Sequence, residues 1–149
     1  MMFSYDGKQV ELSAACLETL DANRQRTRLQ KETGGQLFAT FRPHCIYVEC
    51  ATCIRGARSR FSFRPDRAEE QREIEALFNK GLHYVGDWHT HPEDAPSPSQ
   101  PDCAKALGIY SESQHQLTFM LMAIVGRRPF PEGLFLAAIN AEGVRRLGA

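Results

Sequence analysis

The sequence predicts an α/β (α+β) fold: a single domain over residues 1–149, with a central mixed sheet flanked by helices. Three observations predict it. Short runs of β-branched, aliphatic and aromatic residues alternate with stretches of helical periodicity, with no internal repeat and no low-complexity linker. The apolar run Phe119–Val125 suits a buried strand and is too short to span a membrane. The 149 residues, 42% hydrophobic and 24% charged, match one soluble globular domain large enough to bury a core.

The elements follow in order. Phe3–Tyr5 and Gln9–Leu12 flank the turn Asp6-Gly7 as a short hairpin. Ser13 reads as the N-cap of a helix to about Arg28, with Ala14, Leu17, Leu20 and Ala22 as its apolar stripe. Glu32-Thr33-Gly34-Gly35 breaks that pattern, and Gln36–Phe41 and Cys45–Thr52 read as strands joined by Arg42-Pro43-His44. Residues 54–65 form an Arg-rich connection around a short Phe61-Ser62-Phe63 strand. Asp66 caps the next helix with Glu69 in capping-box position; Ile74, Leu77 and Phe78 face inward, and Gly81 ends it. Leu82–His91 is a strand, and residues 92–101 are a loop with four prolines. A helix over Gln100–Ser111, a strand Leu117–Val125, a turn at Arg127–Gly133 and a strand Leu134–Ile139 complete the chain.

Eighteen basic residues balance eighteen acidic ones, which argues against a nucleic-acid partner recruited by net charge. No apolar run is long enough for a membrane partner, and the opening M-M-F-S-Y-D-G-K lacks the pattern of a signal peptide. Five cysteines, an odd count without a leader, point to reduced thiols in the cytoplasm. His44, Cys45, Cys50 and Cys53 invite a structural metal site, but C-x4-C-x2-C has no matching pair elsewhere, and buried thiols are the simpler account.

The chemistry concentrates in H-T-H-P-E-D-A-P-S-P-S-Q-P-D, an H-x-H-x7-S-x2-D array made of His89, His91, Ser99 and Asp102. On a strand, His89 and His91 point to one side and Thr90 to the other. Pro92 cannot donate to a sheet ladder and marks the strand's end. The loop then returns Ser99 and Asp102 at a helix start. Two imidazoles and a carboxylate are a ligand set that suits Zn²⁺, leaving a position for water. Each piece has another reading: strand histidines are commonly solvated or satisfied in a core, and Ser99-x-x-Asp102 is also a capping box. Capping and ligation are compatible, because a helix start fixes side-chain directions. Four defined residues at fixed spacing arise by chance in a chain this long on the order of once in a thousand. Water activated by a metal needs a base, and Glu32, beside the small Gly34-Gly35 backbone, is the leading candidate; a solvated turn glutamate is its alternative.

The array H-T-H-P…P-S-P-S-Q-P-D, preceded by G-D-W and with E-T-G-G-Q-L-F upstream, closely resembles the JAMM (JAB1/MPN/Mov34) metalloprotease motif, especially in bacterial JAB-domain members. The resemblance spans nearly the whole chain and implies one MPN/JAB domain of cytidine-deaminase-like architecture. It implies that His89, His91 and Asp102 hold one Zn²⁺ per chain. It makes Glu32 the general acid/base and Ser99 the donor to the oxyanion. The implied substrate is an isopeptide or peptide bond after the C-terminal glycine of a ubiquitin-like protein or similar conjugate. The implied setting is an antiphage operon with a bacterial ubiquitin-activating and ubiquitin-conjugating-like enzyme. There, the conjugated target is a nucleotidyltransferase. Ile54–Pro65 lies where relatives carry a substrate-facing insertion; its arginines either meet an acidic partner or form a solvated loop.

Two other readings stay open. The chain processes a sulfur-carrier or ubiquitin-like precursor, or it is a non-catalytic MPN scaffold. Around the motif, Asp87 shares strand parity with the histidines, so it either orients a ligand or is an exposed carboxylate. Trp88 packs in the core, His83 and His115 fit no ligand spacing, and Cys103 is a packing residue.

Overall fold

The computed structural model describes Met1–Ala149. The chain begins with strands β1 (Met2–Tyr5) and β2 (Lys8–Leu12), then helix α1 (Ala14–Ala22) and strands β3 (Gly34–Arg42) and β4 (Cys45–Ala51). A small hairpin, β5 (Gly56–Arg58) and β6 (Phe63–Pro65), precedes helix α2 (Arg67–Phe78), strand β7 (His83–Thr90) and helix α3 (Gln100–Glu112). Strands β8 (Met120–Val125), β9 (Leu134–Asn140) and β10 (Gly143–Arg146) end it.

Eight strands form one mixed sheet in the order β1-β2-β4-β3-β7-β8-β9-β10. β2–β4 and β7–β8 run parallel and the other neighbours antiparallel. The sheet curls until its ends meet: the Ser4 amide donates to the Gly148 carbonyl at 2.8 Å. The α/β expectation with a central mixed sheet holds.

β8 shows why its sequence reads as one apolar run. Leu121, Ala123 and Val125 join the larger core with Trp88, Val48 and the α1 residues Cys16 and Leu20. Met120, Met122 and Ile124 point the other way, into a second cluster with β9, against which Leu107 and Ile109 of α3 pack. Both faces are covered, so no polar alternation survives.

Several elements differ from the sequence reading. α1 stops at Ala22 rather than Arg28, because Asn23 caps it and folds its side-chain amide onto the Thr19 carbonyl at 2.8 Å. Residues 24–33 leave the helix to pack against the β5–β6 hairpin. That hairpin replaces the expected Phe61–Phe63 strand: Phe63 opens β6 while Phe61 sits in the turn, 72% exposed. Asp66 caps α2 through the Ala68 and Glu69 amides, but Glu69 pairs with Arg55 at 3.2 Å instead of closing the box. Phe78 is 61% exposed, its ring against His83 rather than in the core. β10 had no strand signal, since Gly143-Val144-Arg145-Arg146 carries one aliphatic residue.

Candidate metal centre

The site is assembled where β7 ends and α3 begins. Register places Gly34 opposite His89 across β3–β7. The pairing continues beyond the strand: the Thr90 amide donates to the Thr33 carbonyl at 2.9 Å, and the Thr33 amide donates to Thr90 Oγ1 at 3.1 Å. The same register carries Glu32 to the level of His91. On the other side the His91 amide donates to the Val125 carbonyl at 2.9 Å, holding the strand end to β8.

The two glycines are needed for this approach. A Cβ on Gly34 would meet the Trp88 carbonyl and, at 2.7 Å, the Phe63 ring of the hairpin. One on Gly35 would strike the Thr52 carbonyl, the acceptor of the Trp88 indole N–H at 2.8 Å. Trp88 is core, as its parity predicted.

Opposite, Ser99 and Asp102 form a complete capping box: Ser99 Oγ accepts from the Asp102 amide at 3.1 Å, and Asp102 Oδ2 accepts from the Ser99 amide at 2.8 Å. The box aims the carboxylate at both rings. Asp102 Oδ1 is 3.3 Å from His89 Nε2, Oδ2 is 3.1 Å from His91 Nε2, and the two Nε2 atoms are 3.1 Å apart. Donor atoms 2.0–2.1 Å from a tetrahedral zinc stand about 3.3 Å from one another, so these separations match the edges of such a site. Two ring nitrogens and a carboxylate converging within ligand distance of one point suit a cation, and this is the metal-competent cluster of the chain. His44, Cys45, Cys50 and Cys53 form no such group.

The electrostatics agree. Burial acts to raise the Asp102 pKa, but hydrogen bonds from His89 and His91 outweigh it and hold the carboxylate well below its ordinary range. Burial lowers the His89 pKa; for His91 burial acts the same way but Asp102 overcomes it and raises it. Glu32 is 5% exposed, and burial pushes its carboxyl up to about 7, opposed by His91 and reinforced by Asp102. A carboxyl poised there exchanges protons near neutrality. Glu32, His89, His91, Ser99 and Asp102 line one cavity of about 790 Å³.

Three contributors carry no signal in the sequence pattern. Gln25, 1% exposed, donates to the Gln30 and Arg60 carbonyls at 3.0 and 3.2 Å, clamping the Glu32 loop to the hairpin. Ser59 accepts from the Glu32 amide at 2.6 Å. Tyr84 donates to Asp87 Oδ1 at 3.0 Å, a contact made possible by the register shift in β7, which brings both to one face. Asp87 therefore neither bonds His89 nor stands exposed; burial, with Glu70 nearby, raises its pKa to about 6. His115 is satisfied by the Tyr110 carbonyl and Leu117 amide, away from the site as expected.

The chain is similar to a CD-NTase/cGAS isopeptidase of Pseudomonas aeruginosa, 32% identical over 139 residues, covering 90% of this chain and 85% of that protein. Another, from Enterobacter hormaechei, is 31% identical over 105 residues; the match covers 70% of this chain and about half (53%) of the longer relative. The solution structure of protein DSY2949 from Desulfitobacterium hafniense shares the fold, with a TM-score of 0.69 at 20% identity over 92% of this chain and 88% of that one. Residues 17–136, which contain Glu32, both histidines, Ser99 and Asp102, match the family described as prokaryotic homologs of the JAB domain. The chain therefore belongs to the prokaryotic JAB-domain homologues, enzymes of metalloprotease type.

Proposed function

We propose that residues 1–149 act as a single JAB domain that removes a protein conjugate by hydrolysing the amide after a C-terminal glycine. The observation that carries this reading is the convergence of His89 Nε2, His91 Nε2 and Asp102 within 3.3 Å of one another beside a buried Glu32. His89, His91 and Asp102 hold Zn²⁺, which when bound polarises the scissile carbonyl and makes water nucleophilic at neutral pH. Glu32 takes the proton from the attacking water and delivers it to the departing amine. The Ser99 amide and Asp102 amide are already engaged in the capping box, and Ser99 Oγ accepts there, which leaves its hydroxyl hydrogen free to donate to the oxyanion. A glycine tail suits the cleft because it has no side chains to clash with the walls.

The relatives' names, CD-NTase/cGAS isopeptidases, support a nucleotidyltransferase as the conjugated target; on our reading a ubiquitin-transfer-like enzyme installs the conjugate. Reversal of that conjugation in antiviral defence, in the cytoplasm, is the setting we favour. The test incubates the chain with such conjugates, with and without a chelator, and identifies the released termini by mass spectrometry. Release of a free terminal glycine and an intact lysine, abolished by chelation and restored by zinc, is expected; release that persists with the metal stripped would reject the reading.

A further inference from the structure

Two stretches far apart in sequence meet beside the cleft, and both carry charge of one sign. Residues 24–31 hold four basic residues and residues 55–64 hold four more, with no acidic residue in either. They are joined by the Gln25 clamp, by the Glu32 amide on the Ser59 carbonyl, and by the Arg60 guanidinium donating to the Arg28 carbonyl at 3.4 Å. Asp21 pairs with Arg24 and Arg26, and Glu69 pairs with Arg55. The other five, Arg28, Lys31, Arg58, Arg60 and Arg64, are exposed and make no ion pair. In a chain whose charges cancel overall, this is a local surplus that repels itself and attracts an anion.

The same surface presents Leu29, 82% exposed, and Phe61, 72% exposed, the two most exposed of the chain's large hydrophobic residues. Apolar side chains ringed by uncompensated cations are the composition of a protein contact rather than of a solvated loop. Phe61 and Arg64 also line the cavity that holds Glu32, His89 and His91, so whatever docks on the rim is within reach of the metal centre.

We propose that this rim receives an acidic segment of the substrate polypeptide, with an apolar side chain of that segment against Leu29 and Phe61, and that it selects among conjugates. The proposal rests on the deconjugation reading for the identity of the docked chain as substrate. A nucleic acid would answer the charge equally and find one ring, Phe61, to stack on, but the chain entering the cleft must present an amide, and aliphatic Leu29 gives no second ring for a base.

The test is fluorescence anisotropy on the full chain with three labelled probes: an alternating glutamate–leucine peptide, its glutamine–leucine counterpart, and oligouridylate. The acidic peptide is expected to bind at least about tenfold tighter than the neutral one and to weaken as salt rises. Arg58→Glu/Arg60→Glu/Arg64→Glu should cost at least about tenfold in that affinity, and Leu29→Ser/Phe61→Ser should weaken it while leaving its salt dependence unchanged. Should circular dichroism show the triple variant unfolded, Arg28→Gln/Lys31→Gln carries the same expectation of weaker acidic-peptide binding. Equal affinity for both peptides, unchanged binding in the folded charge variant, or oligouridylate binding at least as tightly would overturn the proposal. Acidic-peptide binding in a chain that cleaves no conjugate refutes the reaction and leaves the rim standing; cleavage without acidic preference does the reverse.

Discussion

Glu32 shows how one residue's surroundings set both a chemical role and a stability cost. Burial holds its carboxyl at about 7 in the folded chain against an ordinary 4.5. The folded state therefore binds a proton more readily than the unfolded one. For the metal-free chain, this group's contribution to stability falls as pH rises from 4.5 through about 7, then stays level. Glu32→Gln should accordingly raise the melting temperature of the metal-free chain little near pH 4.5 and most above pH 7, as differential scanning calorimetry can follow. A melting gain independent of pH would contradict the assignment. The two histidines differ from one another: burial lowers the His89 pKa, whereas His91 is raised like Glu32. Asp102 raises the His91 pKa, and that proton must leave before the ring can bind metal. Zinc affinity, measured by competition with a chelating dye, should weaken as pH falls through the His91 pKa. Ser99→Ala removes the N-cap acceptor and the proposed oxyanion donor together. It should cost about 1 kcal/mol of stability and about a hundredfold in kcat.

At the scale of elements, the placement of Glu32 depends on the hairpin β5–β6 and on the loop that follows α1. Gln25 clamps the two and is fully buried, so Gln25→Ala strips the Gln30 and Arg60 carbonyls of a donor. The expected result is a lower kcat with metal content unchanged, and faster tryptic cutting among Arg58, Arg60 and Arg64, at a stability cost of about 1–3 kcal/mol. Unchanged cutting would mean the clamp does not hold the hairpin. The strand half of the site was legible in the sequence, because His89-Thr90-His91 followed by proline has one geometric meaning and Ser99-x-x-Asp102 makes a helix start. The support for Glu32 was not. Gln25 looked like a position on a continuing helix, and only tertiary contact with the hairpin gives its amide partners. The contact between Tyr84 and Asp87 was hidden for a related reason: a register shift in β7 breaks the two-residue alternation that sequence reading assumes.

For the whole molecule, the metal centre ties β7 in the middle of the sheet to α3 packed on one of its faces, with the Glu32 loop and hairpin closing over it. A ligand that binds only the folded state stabilises it by about 2.7 kcal/mol at a hundred times its dissociation constant. Zinc should therefore raise the melting temperature, and Asp102→Ala should remove that rise. The fold itself was largely readable from the alternation of strands and helices, as was the burial of Phe119–Val125. The curl that brings Ser4 to Gly148 was not, since no local pattern records which strands meet across the ends of a sheet.

The central claim is that a cation on His89, His91 and Asp102 and a separate base on Glu32 act together. It is tested most directly by measuring metal content and conjugate turnover on one preparation of Glu32→Gln. One zinc per chain with turnover reduced by about a hundredfold or more is the expected result. A metal-loaded variant that turns over like the wild type would contradict it.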